Sequence, residues 1–236
     1  IKKKISPYNK KIFVDGDKSI SIRWALLASQ AIGKSTASNL PNSEDINSTI
    51  DCLKRLGIKI IKKNNNCEIF GNGLNGFNYQ KNITINAGNS GTCGRLILGL
   101  LIASKKKIKL KGDKSLSSRD FSRVTSPLER FGAKFFPLKR KNLPISILGS
   151  NFTRPINYLE NIGSAQCKSS IMLAALNSPG KTLIKAKKSR NHTELLFKSL
   201  KIPIKIKKEK KLDFISFKGK KNYQAFNYII PGDISS

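Results

Sequence analysis

The sequence predicts an α/β (α+β) domain with pseudo-threefold symmetry: three strand-helix-strand-helix-strand-strand units around one core, helices inside and strands on the faces. Three observations point there. Arg23, Arg95 and Lys168 enter apolar segments at intervals of 72 and 73 residues, and Ser43, Ser118 and Ser189 precede second helices at intervals of 75 and 71. Leu53-Lys54-Arg55-Leu56-Gly57-Ile58-Lys59 matches Leu128-Glu129-Arg130-Phe131-Gly132-Ala133-Lys134. The first helix of each unit is apolar nearly all round, which places it in the interior. A period of about 72 residues is longer than a solenoid repeat. A true threefold repeat also argues against the doubly wound sheet that alternating helices and strands would otherwise allow.

Taken in order, residues 1–15 alternate loosely through Ile5, Ile12, Phe13 and Val14, as a short strand does. Gly16-Asp17-Lys18-Ser19-Ile20-Ser21-Ile22-Arg23 is a turn that runs into a helix reaching about Ile32, with Gly33 as its C-cap. Lys34–Leu40 reads as a strand. Ser43-Glu44-Asp45 caps a second helix whose Ile46, Ile50, Leu53 and Leu56 share one face, closed by Gly57. Ile58–Lys62 and Cys67–Phe70 follow as strands around the turn at Asn64-Asn65-Asn66. The second unit runs from the strand Ile83-Thr84-Ile85 through a Gly/Asn turn to a helix at Leu96–Ala103 opened by Arg95. It continues with the strand Lys105–Leu110 and a helix capped by Ser118-Arg119-Asp120. The third starts at Ile162-Gly163-Ser164, with the helix Ile171–Leu176, the strand Thr182–Lys185 and a helix from Ser189-Arg190-Asn191 to about Leu200.

Composition bounds the function. The length suits one large or two small domains, and 39% hydrophobic residues suffice for a core. The formal charge of +31 suggests nucleic acid, yet 36 of the basic residues are Lys and only nine are Arg, whereas base and phosphate recognition favours Arg. Lys, Asn and Ile share A/T-rich codons, so most of the charge reads as solvated faces that help draw in anionic substrates. Cys52, Cys67, Cys93 and Cys167 lie far apart, and His192 is the single histidine. Neither a zinc site nor a disulfide framework is indicated. Reduced thiols, together with the absence of a run of about 20 apolar residues, lead us to expect a cytoplasmic protein with no membrane partner. The chain starts at Ile1 and stops at Ser236, and both ends read as cut.

Under the threefold axis, the N-termini of the three first helices converge, and each offers unpaired N–H groups and a positive dipole end to an anion. The residues brought there are Lys18, Ser19 and Arg23; Asn89, Ser90, Gly91 and Thr92; and Ser164, Ala165 and Gln166. Arg119 and Arg190 stand at the caps of second helices, where Asp or Glu would complement the dipole. Other signals read as structure. Gly33-Lys34-Ser35 is a helix stop, not a P-loop. His192 is a helix-start residue, and Cys93 and Cys167 are buried small residues. The Lys105–Lys107 and Lys205–Lys211 runs are solvated strand and turn charges.

Seven segments carry a resemblance that spans the chain: Gly16-Asp17-Lys18-Ser19-Ile20-Ser21-x-Arg23, Ser43-Glu44-Asp45, Gly88-Asn89-Ser90-Gly91-Thr92-x-x-Arg95-Leu96, Gly112-Asp113-x-Ser115-Leu116-x-x-Arg119, Ser164-Ala165-Gln166-x-Lys168-Ser169, Ser189-Arg190-x-His192-Thr193-Glu194 and Pro231-Gly232-Asp233-Ile234-Ser235-Ser236. In this order they resemble the 5-enolpyruvylshikimate-3-phosphate synthase family, whose fold is the enolpyruvyl transferase-like inverted α/β barrel. Ile22 replaces the polar residue usual before Arg23. The resemblance implies transfer of the enolpyruvyl group of phosphoenolpyruvate to the 5-hydroxyl of shikimate 3-phosphate, with release of phosphate, in chorismate and aromatic amino acid biosynthesis. It implies no metal and no organic cofactor.

The family enzyme has two domains, and this sequence covers about half of it. Residues 1–12 would be an initial strand of the second, incomplete domain, 13–229 a complete three-repeat substrate-binding domain, and 230–236 the start of the return crossing. By motif, Lys18, Ser19, Arg23, Ser164, Ala165, Gln166 and Ser189 would bind shikimate 3-phosphate. Lys18, Asn89, Gly91, Arg119 and Gln166 would bind phosphoenolpyruvate, with Lys18 as the catalytic residue carried by this half. The family's acid–base carboxylates have no counterpart here, so the chain alone is not expected to turn over. The full-length protein is expected to be a monomer with no specific nucleic-acid partner. The alternatives are the sister enzymes that transfer enolpyruvate to a UDP-sugar, which lack this Lys-Ser-x-Ser-x-Arg opening, and a basic nucleic-acid-binding protein.

Overall fold

The first helix of each unit begins in the same way. In a computed structural model that describes residues 14–219 and 221–234, the helices α1 (Lys18–Ala28), α3 (Gly91–Leu100) and α6 (Ala165–Leu176) are capped by Asp17, Ser90 and Ser164. Each cap oxygen accepts the backbone N–H three residues on, from Ile20 (2.6 Å), Cys93 (3.2 Å) and Cys167 (3.2 Å), satisfying donors that a helix start leaves open. These caps start α3 and α6 five and six residues earlier than the apolar runs at Leu96 and Ile171 suggest. Arg23, Arg95 and Lys168 therefore lie on second turns.

In the first unit α1 is followed by β1 (Ile32–Ser38), α2 (Glu44–Arg55), β2 (Lys59–Lys63) and β3 (Asn66–Asn72). The second unit holds β4 (Thr84–Asn86), α3, β5 (Ile108–Lys111), the one-turn α4 (Lys114–Ser117), α5 (Ser122–Arg130), β6 (Lys134–Phe136) and β7 (Ile145–Leu148). The third holds β8 (Asn157–Glu160), α6, β9 (Lys181–Lys187), α7 (His192–Ser199), β10 (Ile204–Lys208) and β11 (Leu212–Lys218), and β12 (Asn227–Ile229) closes the order. Two expected caps are corrected. Ser118 ends α4 and does not start α5, which begins after Phe121 with Asp120 accepting Ser122 N–H. Gly33 lies inside β1 at φ +102°, while α1 stops at Ser29.

The sheets repeat one topology. Their orders are β12–β1–β3–β2, β4–β5–β7–β6 and β8–β9–β11–β10. In each, the first pair is parallel and the other two are antiparallel. The place that β4 and β8 hold is taken in the first sheet by β12, from the other end of the chain, with Thr36 opposite Asn227 and Ser38 opposite Ile229. The strand expected within residues 1–15 falls, except for Val14 and Asp15, outside the described residues, as does the boundary at residue 12. Gly16 pairs antiparallel with Gly232, and Asp17 N–H donates to Pro231 O at 2.8 Å, so the two ends of the described chain run side by side.

α1, α3 and α6 form the centre because they have no polar face to give to solvent. Trp24, Leu26, Leu27, Ile97, Leu98, Ile171 and Met172 are fully buried there. The amphipathic α2 lies outside them, burying Ile46, Ile50 and Leu53 and exposing Asp51 and Lys54. A second threefold signature emerges at the far end. Gly71, the penultimate residue of β3, and Gly149 and Gly219, which directly follow β7 and β11, each sit where a Cβ would overlap backbone at the C-terminus of the buried helix above it. The overlapped groups belong to Ala28 and Ala31, to Ile102 and Ser104, and to Ala175 and Ser178. Since backbone cannot yield as a side-chain tip can, Gly219→Ala is expected to cost about 3 kcal/mol, at the upper end for overpacking. The urea midpoint would read this, with an unchanged slope showing that compactness is kept.

Candidate active site

The N-terminal turns of α1, α3 and α6 meet at one cavity of about 350 Å³. Ser19 and Arg23 line it from α1, Thr92 from α3, and Ala165 and Gln166 from α6 with its cap Ser164; Ser189, Arg190 and His192 close it from the start of α7. A second cavity of about 380 Å³ lies beside it, lined by Arg95, Arg119, Asp120, Arg123, Val124 and Cys167, and it shares Ser164 and Gln166 with the first. A third cavity, about 630 Å³, opens beside the C-terminal end of α3, and no arginine lines it. Charge and helix polarity single out the two smaller ones.

Arg23 is 4% exposed. Its Nε donates to Thr193 Oγ1 (2.9 Å), Nη1 to Ser19 O (2.9 Å) and Nη2 to Ser169 Oγ (3.2 Å), while Thr193 Oγ1 donates to Ser169 Oγ (2.7 Å). Burial pulls the guanidinium pKa down to about 10, against the pull of Glu194 and Asp17. It remains charged at neutral pH. The imidazole of His192, the first residue of α7, sits below its usual pKa because of burial and then Arg23, so it is neutral there. Its Nδ1 and the Ser189 Oγ are buried and have no hydrogen-bond partner among the described residues.

The second cavity gathers three arginines. Burial lowers the Arg95 pKa, and the charges of Arg119 and Arg123 lower it further. Among the described residues, none of the three has a carboxylate within ion-pair distance. Such a cluster at helix starts is unfavourable until an anion joins it. Gly91 lies directly against it. A Cβ there would come within 2.9 Å of Arg95 Nη1 and 3.3 Å of Arg119 Nη1. These are side-chain ends that can move, so Gly91→Ala is expected to change stability by less than about 1 kcal/mol. It should weaken binding of a small anion, probed with inorganic phosphate, about tenfold by displacing both guanidinium groups, as read by titration of the two proteins.

The structure thus brings together Ser19, Arg23, Ser164, Ala165, Gln166 and Ser189 in one cavity, and Arg119 and Gln166, with Gly91 beside them, at the other. Two predicted residues stand apart. Lys18 Nζ pairs with Asp45 of α2 at 3.1 Å, half-exposed, and Asn89 donates to Asp113 at 2.5 Å; neither lines these cavities. Thr92, expected among the convergent turn residues, lines the first cavity, and Arg95 and Arg123 are additional lining residues of the second. Arg123 could have been found by the signal used for Arg119 and Arg190, a cation in the first turn of a helix. Lys168 corrects a simple reading of the repeat. It is fully buried and ion-paired to Glu194 at 2.6 Å, so it cannot touch a ligand. Cys93 and Cys167 are free and buried, and burial raises the Cys167 thiol to about 12.

Among the described residues, no group of three His, Cys, Asp or Glu is placed to hold a metal, and no helix is long and apolar enough to cross a membrane. The family model for EPSP synthase (3-phosphoshikimate 1-carboxyvinyltransferase) matches residues 2–236. A 3-phosphoshikimate 1-carboxyvinyltransferase of Syntrophomonas wolfei is 36% identical over 233 residues, which are 98% of this chain and 53% of the relative. One of Thermoanaerobacter sp. (strain X514) is 40% identical over 226 residues, covering 95% and 52%. The EPSP synthase structure from Acinetobacter baumannii superposes with a TM-score of 0.87 at 32% identity, covering 96% of this chain and 51% of that one. The chain spans about half the length of the curated relatives it matches. Fold, motifs and relatives agree: the chain belongs to the EPSP synthase family.

Proposed function

We propose that this chain supplies the shikimate 3-phosphate-binding half of an enzyme that transfers the enolpyruvyl group of phosphoenolpyruvate to the 5-hydroxyl of shikimate 3-phosphate, releasing phosphate. The observation that carries the proposal is the cavity at the three convergent helix starts, which shares a wall with an unpaired arginine cluster. Two multiply charged anions must be brought together, and fixed cations and helix N-termini provide positioning and electrostatic stabilisation for that. Arg23, Ser19, Ser164, Ala165, Gln166 and Ser189 hold shikimate 3-phosphate, and Gly91, Arg119 and Gln166 face phosphoenolpyruvate. Lys18 joins them by leaving Asp45, with Asn89 at the edge.

The carboxylates around the site are already engaged. Asp17 caps α1, Asp113 accepts from Leu116 N–H and Asn89, Asp120 accepts from Ser122 N–H, and Glu194 pairs with Lys168. None lines the first cavity. We take the groups that move protons to come from elsewhere in the enzyme, which acts as a cytoplasmic monomer without metal, cofactor or specific nucleic-acid partner.

Calorimetric titration tests this. The chain is expected to bind shikimate 3-phosphate in a 1:1 saturable manner, to ignore a UDP-sugar at the same concentration, and to release no phosphate at an enzymatic rate from the two substrates. Single-stranded oligonucleotide binding should be weak and collapse as salt rises, without sequence preference. Preference for the UDP-sugar, or tight sequence-dependent retention of nucleic acid, would replace the proposal.

A further inference from the structure

Gln166 and Ser164 are the residues common to both cavities. The Gln166 side-chain amide is held at both ends by α3: Arg95 Nη1 donates to Oε1 at 2.9 Å, and Nε2 donates to Thr92 Oγ1 at 2.9 Å. Thr92 and Arg95 are three residues apart and so lie one above the other on a helix face. Arg95 is itself anchored, with its guanidinium 5.0 Å over the Phe121 ring and Nη2 directed at Asp120 O at 3.5 Å. A primary amide has two orientations of nearly equal shape that exchange donor for acceptor. A guanidinium has donors only. The oxygen of Gln166 must therefore face Arg95, and the nitrogen must face Thr92.

We infer that Thr92 and Arg95 are positioning residues for the proposed reaction, locking the Gln166 amide so that its nitrogen end serves the first cavity and its oxygen end the second. This rests on the functional proposal above. Thr92 lines the first cavity and Arg95 the second, so the lock also settles what each ligand meets. The first cavity receives a fixed N–H donor, suited to a hydroxyl or phosphate oxygen. Arg95 is committed to Gln166, which leaves Arg119 and Arg123 as the guanidinium groups free to grip an anion in the second cavity.

The test uses the 236-residue chain and two readouts. The first is the NMR signal of the Gln166 side-chain NH2, identified by its loss in Gln166→Met and recorded without ligand. The second is the dissociation constant of shikimate 3-phosphate. Thr92→Val and Arg95→Met are expected to move the amide signal and speed its proton exchange. Each should weaken binding about tenfold, the effect of losing one hydrogen bond to a polar group. Thr92→Ser, which keeps the acceptor, should hold the signal and bind within about twofold of wild type. Unchanged affinity in Thr92→Val, or weakened affinity with the amide signal in place, would overturn the inference. A wild-type chain that does not bind shikimate 3-phosphate counts against the functional proposal, whereas an amide signal indifferent to Thr92→Val counts against the lock alone.

Discussion

Lys168→Met is expected to lower the unfolding free energy by about 3–5 kcal/mol, because it leaves a buried carboxylate without its counter-charge. Lys168 Nζ and Glu194 Oε1 are 2.6 Å apart, with side chains 0% and 4% exposed, and the other Glu194 oxygen has no hydrogen-bond partner among the described residues. The pair ties α6 to α7 next to Ser169 and Thr193, the two residues that hold Arg23. Glu194→Leu, which leaves the Lys168 ammonium buried and unpaired, should cost a similar amount, and the combination Lys168→Met with Glu194→Leu should recover much of it, since an apolar pair removes both desolvation penalties. Urea unfolding of the four proteins measures the cycle. A single-substitution cost under about 1 kcal/mol would show that the pair is not closed to water.

The second large effect is on binding. Arg23→Lys keeps a positive charge but cannot reproduce the fork that reaches Thr193, Ser19 and Ser169 at once. With two or more charge-assisted hydrogen bonds lost and the cation displaced from the cavity wall, shikimate 3-phosphate affinity should fall at least 100-fold, about 3 kcal/mol. Calorimetry would report it, and a thermal melt would show that the variant is folded at the temperature used. Binding within fivefold of wild type would mean that Arg23 is only a strut between α1, α6 and α7.

Much of this architecture was legible in the sequence because the repeat is written in backbone-determining residues. The Ser43 cap, the positive-φ stops at Gly57 and Gly132 and the all-apolar first helices each state a local conformation. What stayed hidden depends on partners distant in sequence. Nothing local says that β12 fills the first sheet, since that strand is recognised only by pairing with β1 some 190 residues earlier. Gly71, Gly149 and Gly219 recur at 78 and 70 residues, yet their helix-end contacts exist only in the assembled core.

The site shows the same division. Convergence of the helix starts, and with it the cluster of Ser19, Arg23, Ser164, Ala165, Gln166 and Ser189, follows from the threefold symmetry. The fates of Arg23, Arg95 and Lys168 do not. These cations, matched by spacing but lying six, five and four residues after their helix caps, hold Thr193 and Ser169, Gln166, and Glu194 respectively. Spacing alone cannot distinguish a cation that meets a ligand from one that joins two helices. Lys18, read from its motif as a grip on both substrates, instead rests against Asp45.

The central claim is that the three convergent helix starts form the shikimate 3-phosphate site. A crystal structure of this chain grown with shikimate 3-phosphate tests it most directly. The expected result is one molecule in the 350 Å³ cavity, its anionic oxygens within hydrogen-bond distance of Arg23, Ser164 and Gln166. Ligand bound elsewhere on the Lys-rich surface, or this cavity empty at saturating ligand, would contradict it.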